Sequence, residues 1–152
     1  MKETNEQIEP SEYESQCAYI EWVRVMENRH TDLQRLFAVP NGENRHPVTG
    51  ARLKRAGVKP GVPDIILPVA RGGYNLLAIE LKTSTGNLSP EQKRYIAAIR
   101  ESGSCVAVCR SAAEAIEATI EYLRGRPWDN GETLKEIGSK YCVSGGKEDK
   151  EN

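Results

Sequence analysis

The chain has 152 residues, with 22 acids, 21 bases, a net charge of −1 and 38% hydrophobic residues. That is the size and composition of one globular domain that buries its own core without disulfide or metal staples. No run approaches the ~20 apolar residues of a membrane helix, and a near-neutral sum argues against a simple basic nucleic-acid coat.

The polar, acidic start MKETNEQIEP matches neither a secretory nor a mitochondrial signal. Residues 1–10 read as a flexible N-terminus. From Ser11 to about Asn28 the apolar residues Tyr13, Cys17, Ile20, Val23 and Met26 recur every three or four positions, which predicts an amphipathic helix. Ser11 and Glu14 form an S-x-x-E capping box at its start. Leu36–Val39 reads as a short strand, stopped by Pro40-Asn41-Gly42. A basic stretch broken by Pro47, Gly50, Gly57 and Pro60 reads as a loop with a short helical turn near 51–56. The runs Ile65–Val69 and Leu76–Leu81 flank Arg71-Gly72-Gly73, a β-hairpin signal. Ser89-Pro90-Glu91-Gln92 opens a helix that ends near Gly103. Ser104–Cys109 reads as a strand, and Ser111-Ala112-Ala113-Glu114 as a capping box for a helix ending at Gly125. The order helix, strand, hairpin, helix, strand, helix predicts an α/β fold around one mixed sheet. Residues 125–152 read as a partly disordered tail, with a short helix possible over 133–141.

Charge is segregated along this chain. Residues 1–14 hold five acids and one base, and 147–152 hold three acids and two bases. The stretch between them is therefore net positive. Within it, residues 44–63 contain Arg45, Arg52, Lys54, Arg55 and Lys59 and no acid. Such a patch engages phosphates or simply forms a solvated loop. The cysteines Cys17, Cys105, Cys109 and Cys142 form no CxxC pair, and His30 and His46 show no ligand spacing with them. They read as free thiols of a reducing cytoplasm, with no structural zinc.

The residues that point to chemistry are Asp64, Glu80 and Lys82. Glu80 and Lys82 are i and i+2 on a strand, so they share a face. If paired residue numbers across the hairpin sum to 144, Asp64 faces Glu80, and two carboxylates and an ammonium converge. A sum of 145 puts Asp64 opposite Leu81 and breaks the site. The functional reading thus requires an odd-length loop or a bulge. Facing carboxylates repel unless a cation sits between them. Mg²⁺ suits two carboxylates, with the Leu81 carbonyl as a further oxygen. Lys82 beside it orients water or stabilises phosphoryl charge, the layout for phosphodiester cleavage. The alternative is a solvated Glu-x-Lys pair. Against that, both charges interrupt the apolar run LLAIEL, where burial is costly without a partner.

Five segments then carry a resemblance: EYESQ at 12–16, VPNGENR at 39–45, AGVKPGVPDIILPVARGG at 56–73, IELK at 79–82 and LSPEQKRYIAAIRESG at 88–103. Together residues 11–124 resemble a stand-alone VRR-NUC domain of the PD-(D/E)xK nuclease superfamily. The resemblance implies a restriction-endonuclease-like αβββαβ core, a mixed central sheet flanked by helices. It implies Asp64 and Glu80 as metal ligands, Lys82 as catalytic lysine and a helical glutamate, Glu14 first and Glu12 second. For Glu14 the alternative is its capping box. Gln92 and Tyr95 match the helix that faces the catalytic hairpin in that family; their alternatives are a cap and a core aromatic. Asn41 matches a Pro-Asn turn, read as a DNA contact or simply a turn residue. The remaining DNA-facing candidates are Arg45, Arg52, Lys54, Arg55, Lys59 and Lys93. Gly57, Gly61 and Pro63 shape the approach to Asp64.

The implied function is a Mg²⁺-dependent, structure-selective endodeoxyribonuclease similar to homodimeric four-way (Holliday) junction resolvases. Mn²⁺ is an expected substitute. Expected partners are branched DNA and a second copy of the chain, in the cytoplasm of a bacterial or phage-infected cell and away from membranes. The alternatives are a nuclease of flap or other specificity and a catalytically inactive DNA-binding module.

Overall fold

Ser11 caps the first helix, α1 (Glu12–Met26), as its sequence requires. Its hydroxyl accepts from Glu14 N–H, and the Glu14 carboxylate accepts from Ser11 N–H at 2.8 Å. The computed structural model describes residues 8–40 and 47–126. Asn41, Arg45, His46, Cys142 and the possible helix over 133–141 lie outside the described residues. After α1 come a 3-10 turn (Thr31–Arg35), β1 (Phe37–Ala38), α2 (Pro47–Arg55), β2 (Ile65–Leu67), β3 (Leu77–Leu81), α3 (Pro90–Glu101), β4 (Cys105–Cys109) and α4 (Ala112–Leu123). This is the expected αβββαβ order followed by the expected closing helix, α4, with α2 inserted between β1 and β2. That helix is a full nine residues rather than a short turn. Proline is tolerated in a first turn, and 51–55 are helix formers that outweigh Gly50.

The sheet order is β1-β2-β3-β4, with β1, β2 and β3 antiparallel and β4 parallel to β3. Alternation along β3 divides the core in two. Leu77, Ile79 and Leu81 join Ile65, Leu67, Cys105, Ala107 and Cys109 beneath α1 and α4, whose Tyr19, Val23, Ala115, Ala118 and Tyr122 complete the larger layer. Ala78, Val106 and Val108 face the other way, onto Leu88 and Ile96 of the α3 segment. The molecule is thus helices, sheet, helix in three layers. In the larger layer the buried hydroxyls of Tyr19 and Thr119 satisfy each other with a hydrogen bond of 2.7 Å. Cys105 and Cys109 are buried free thiols, packed as small apolar groups. No described helix is long and apolar enough to cross a membrane.

The hairpin register is the feature that positions the site. Ile65 pairs with Ile79, Ile66 with Ala78 and Leu67 with Leu77, each pair summing to 144. The tip is out of step with that ladder. Arg71 and Tyr74 exchange backbone hydrogen bonds around Gly72 and Gly73, both at positive φ. That is the two-residue turn favoured by strand twist, and its closing pair sums to 145. Between tip and ladder, residues 68–70 stand opposite only 75–76, so one extra residue is absorbed on the β2 side. It is absorbed at Pro68, where Val69 N–H donates back to the Leu67 carbonyl at 2.9 Å. The bulge is held from α4, where buried Tyr122 donates to the Val69 carbonyl at 2.5 Å. Arg71 at the tip is paired with Asp32 of the 3-10 turn.

The loop from α2 to β2 crosses the N-terminus of α3. Gly61 lies at φ +85°, and a Cβ there falls 2.6 Å from the carbonyl carbon and oxygen of Glu91. Only glycine allows both the conformation and the approach. Gly61→Ala is therefore expected to cost roughly 1–3 kcal/mol in urea or thermal unfolding. An unchanged midpoint would show that this loop moves away from α3 freely.

Candidate active site

Asp64 enters the sheet between two neighbours. Its carbonyl accepts from Val39 N–H at 2.7 Å, and its carboxylate accepts from Leu81 N–H at 2.8 Å. The preceding Pro63 is buried and, by its ring, keeps the approach extended. Glu80 is the penultimate residue of β3, on the α3 face, only 1% exposed. The register brings Asp64 beside it. Burial pushes the Glu80 carboxyl up to about 9, and the charge of Asp64 adds to the shift; Lys82 pulls the other way and Glu12 adds a further upward push. One Glu80 oxygen, Oε2, is buried without a hydrogen-bond partner. The other, Oε1, accepts from Gln92 Nε2 at 2.8 Å.

Lys82 follows on the same face, its side chain 11% exposed. Its Nζ stands 3.7 Å from Glu80 Oε1 and 3.8 Å from Glu12 Oε1. Of the two helical glutamates, then, Glu12 meets the hairpin and Glu14 does not. The Glu14 carboxylate is exposed and held by Ser11 N–H, which lowers its pKa. Glu12 is the first residue of α1, where the helix abuts the end of β3. Two positions further round, Glu14 faces back along the chain to its cap.

For Gln92 the two sequence readings hold together. Its Oε1 accepts from Ser89 N–H at 2.8 Å while its Nε2 donates to Glu80. One amide closes the capping box and touches the buried acid. A glutamate closes the same box but has no donor to offer Glu80. Tyr95 lies one turn on, half-buried, at the i+3 position that shares a helix side with Gln92. Lys93 is half-buried beside them. Arg52, Lys54 and Arg55 are exposed on α2, and Lys59 is exposed two residues before Gly61, where the chain meets α3.

Among the described residues no three His, Cys, Asp or Glu side chains form a ready metal cluster. A cation placed here would have to rest on Asp64 and Glu80, with backbone and solvent oxygens. The Leu81 carbonyl could supply one such oxygen, because extended backbone sends a residue's N–H and C=O to the same edge, and this N–H points at Asp64. The orphaned Glu80 Oε2 and the mutual repulsion of the two acids are what a divalent ion relieves. A set of hard oxygens with open positions suits Mg²⁺.

Sequence reasoning missed two residues around this site. Glu9, placed in a flexible N-terminus, accepts from Ser84 N–H and hydroxyl at 2.6 and 2.7 Å. Arg110 donates to the carbonyls of Thr83 and Gly86. Neither had a local signal, since both act across long sequence separations. At the last helix, Ser111 caps Glu114 N–H as expected, but the Glu114 carboxylate accepts from Arg110 N–H instead of closing the box.

A three-layer sandwich with one acid at the entry to β2, a second on the adjacent β3 and a lysine two residues on marks a nuclease-type domain. The VRR-NUC domain model matches residues 2–113, and the chain belongs to that family. A solved structure described as a VRR_NUC domain protein superimposes with a TM-score of 0.65 and 25% identity, covering 86% of this chain and 100% of that one. No curated protein matches the sequence.

Proposed function

We propose that this protein is a Mg²⁺-dependent endodeoxyribonuclease that cuts branched DNA, with the four-way junction as its preferred substrate and a homodimer as its working form. The observation that carries the reading is the buried Glu80 beside Asp64, with Lys82 at 3.7 Å on the same face. A buried acid beside a second carboxylate costs stability, and such costs gather at functional sites. Asp64, Glu80 and the Leu81 carbonyl would hold the metal. When bound, Mg²⁺ supplies Lewis acidity that activates water and neutralises phosphoryl charge.

The chain's own groups do the rest. Lys82 puts a fixed positive charge on the side where the phosphate must lie. Glu12, 3.8 Å from that ammonium, helps hold it beside Glu80. Gln92 fixes the orientation of Glu80. Arg52, Lys54, Arg55 and Lys59 grip the DNA backbone, and such contacts position without reading sequence. The products are a phosphomonoester and an alcohol, water having added across the broken P–O bond. Two copies related by a two-fold axis present two such sites to a symmetric junction.

The test is cleavage mapping on an end-labelled four-way junction and a matched linear duplex, with Mg²⁺ or Mn²⁺. Preferential, paired symmetric nicks in the junction are expected. Equal cutting of both substrates removes the junction preference and leaves a general nuclease. No cutting of either, together with no Mg²⁺-linked rise in melting temperature, makes the protein a binding module instead.

A further inference from the structure

Lys82 stands where β3 gives out, so the segment that follows it decides how firmly its side chain is aimed. That segment is a tight turn over residues 83–86. Gly86 N–H donates to the Thr83 carbonyl at 3.2 Å and to its hydroxyl at 3.1 Å. The turn is then gripped from two remote parts of the chain. Arg110 Nη1, just past β4, donates to the Thr83 carbonyl at 2.8 Å and also to that of Gly86, spanning the turn from end to end. Glu9, just before α1, takes both the N–H and the hydroxyl of Ser84 at 2.6 and 2.7 Å.

These grips bear on three site residues together. Lys82 enters the turn, and Ser89 with Gln92 leaves it, so its shape sets the spacing of the two side chains that meet at Glu80 Oε1. Glu9 also lies three residues ahead of Glu12, the second carboxylate beside Lys82. Glu9 thus ties the start of α1 to the segment that carries the lysine.

We infer that Glu9 and Arg110 are positioning residues, which grip turn 83–86 and thereby aim Lys82 at the reacting phosphate. This rests on the nuclease reading above. Glu9 itself is exposed, and charged hydrogen bonds at such sites add little to global stability. Its effect should fall on the catalytic step, because a small misplacement of a reacting group costs rate even when binding is intact.

The experiment uses the full chain and a DNA substrate that the wild type cuts. Glu9→Ala is expected to lower kcat about tenfold with KM unchanged, and to shift the melting temperature by less than about 3 °C. Glu9→Gln keeps an acceptor for Ser84 N–H and should recover most of the rate. Arg110→Lys, which keeps the charge with a shorter reach, should lower kcat in the same way. Amide exchange at Ser84, faster in Glu9→Ala, reads the loosened turn without any cleavage. An unchanged kcat despite faster exchange overturns the inference. So does a raised KM at constant kcat, which makes Glu9 a substrate contact, or a large fall in melting temperature, which makes it a structural one. If the wild type cuts no DNA, the nuclease reading itself has failed, whereas the exchange data report separately whether Glu9 holds the turn.

Discussion

Asp64→Asn is expected to reduce Mg²⁺-dependent cleavage by on the order of a thousandfold, while the metal-free variant melts no lower than the wild type. The two halves have one cause. Asp64 stands against a buried acid and raises its pKa, so its negative charge is a cost to the empty fold. The amide removes that charge yet keeps an oxygen for Leu81 N–H, the bond that Asp64 now accepts at 2.8 Å. It also removes one of the two carboxylates on which a divalent ion would rest. Thermal melts with and without MgCl₂ should show the wild type gaining stability and the variant gaining little. Cleavage by the variant at the wild-type rate would falsify the site assignment.

The second large effect is on pH dependence. The Glu80 carboxyl is pushed up to about 9 in the fold, from a reference value of 4.5. Between those values the folded protein holds a proton that the unfolded chain releases. Stability therefore falls as pH rises. The contribution is fully present below about pH 4.5 and is lost as pH climbs through about 9. In metal-free protein the melting temperature should decline across this window more steeply than in Glu80→Gln, which has no proton to lose there. Mg²⁺ should counter the decline, because a cation favours the ionised carboxylate. Its stabilising shift is thus expected to grow from mildly acidic to mildly basic buffer. Parallel pH profiles for wild type and Glu80→Gln, or a Mg²⁺ shift that shrinks with pH, would contradict the buried-acid account.

Much of the fold was legible because local and global signals agree. Ser11 and Ser89 announce their helices by capping boxes, and both boxes form. The hairpin register was legible only through the site: pairs summing to 144 were what Asp64 needed to face Glu80, and the ladder takes that register, with Ile65, Leu67, Leu77, Ile79 and Leu81 on one face. α2 was under-read because Pro47 and Gly50 are breakers by type, whereas position in the first turn makes the proline harmless. Among site residues, Asp64, Glu80 and Lys82 are legible from strand alternation. The choice between Glu12 and Glu14 is not. It depends on where the first turn of α1 lies relative to the end of β3, which is tertiary. Gln92 was posed as cap or site, and its amide has two ends, one for each. Glu9 and Arg110 were invisible for a plainer reason: their partners in residues 83–86 are distant in sequence, and a lone Glu or Arg carries no pattern.

The bulge at Pro68 makes the hairpin a two-phase element. The glycine tip runs in one phase and the catalytic ladder in the other, and the bulge restores the frame between them. A length change at the tip therefore need not reach Asp64 and Glu80. Slipping the ladder by one residue would turn Ile65 and Leu67 out of the core, at roughly 1.5–3 kcal/mol for each side chain, whereas reshaping an exposed glycine turn costs much less. An inserted or deleted residue between Leu67 and Leu77 is therefore expected to be absorbed outside the ladder, so that the face that bears the acids keeps its parity.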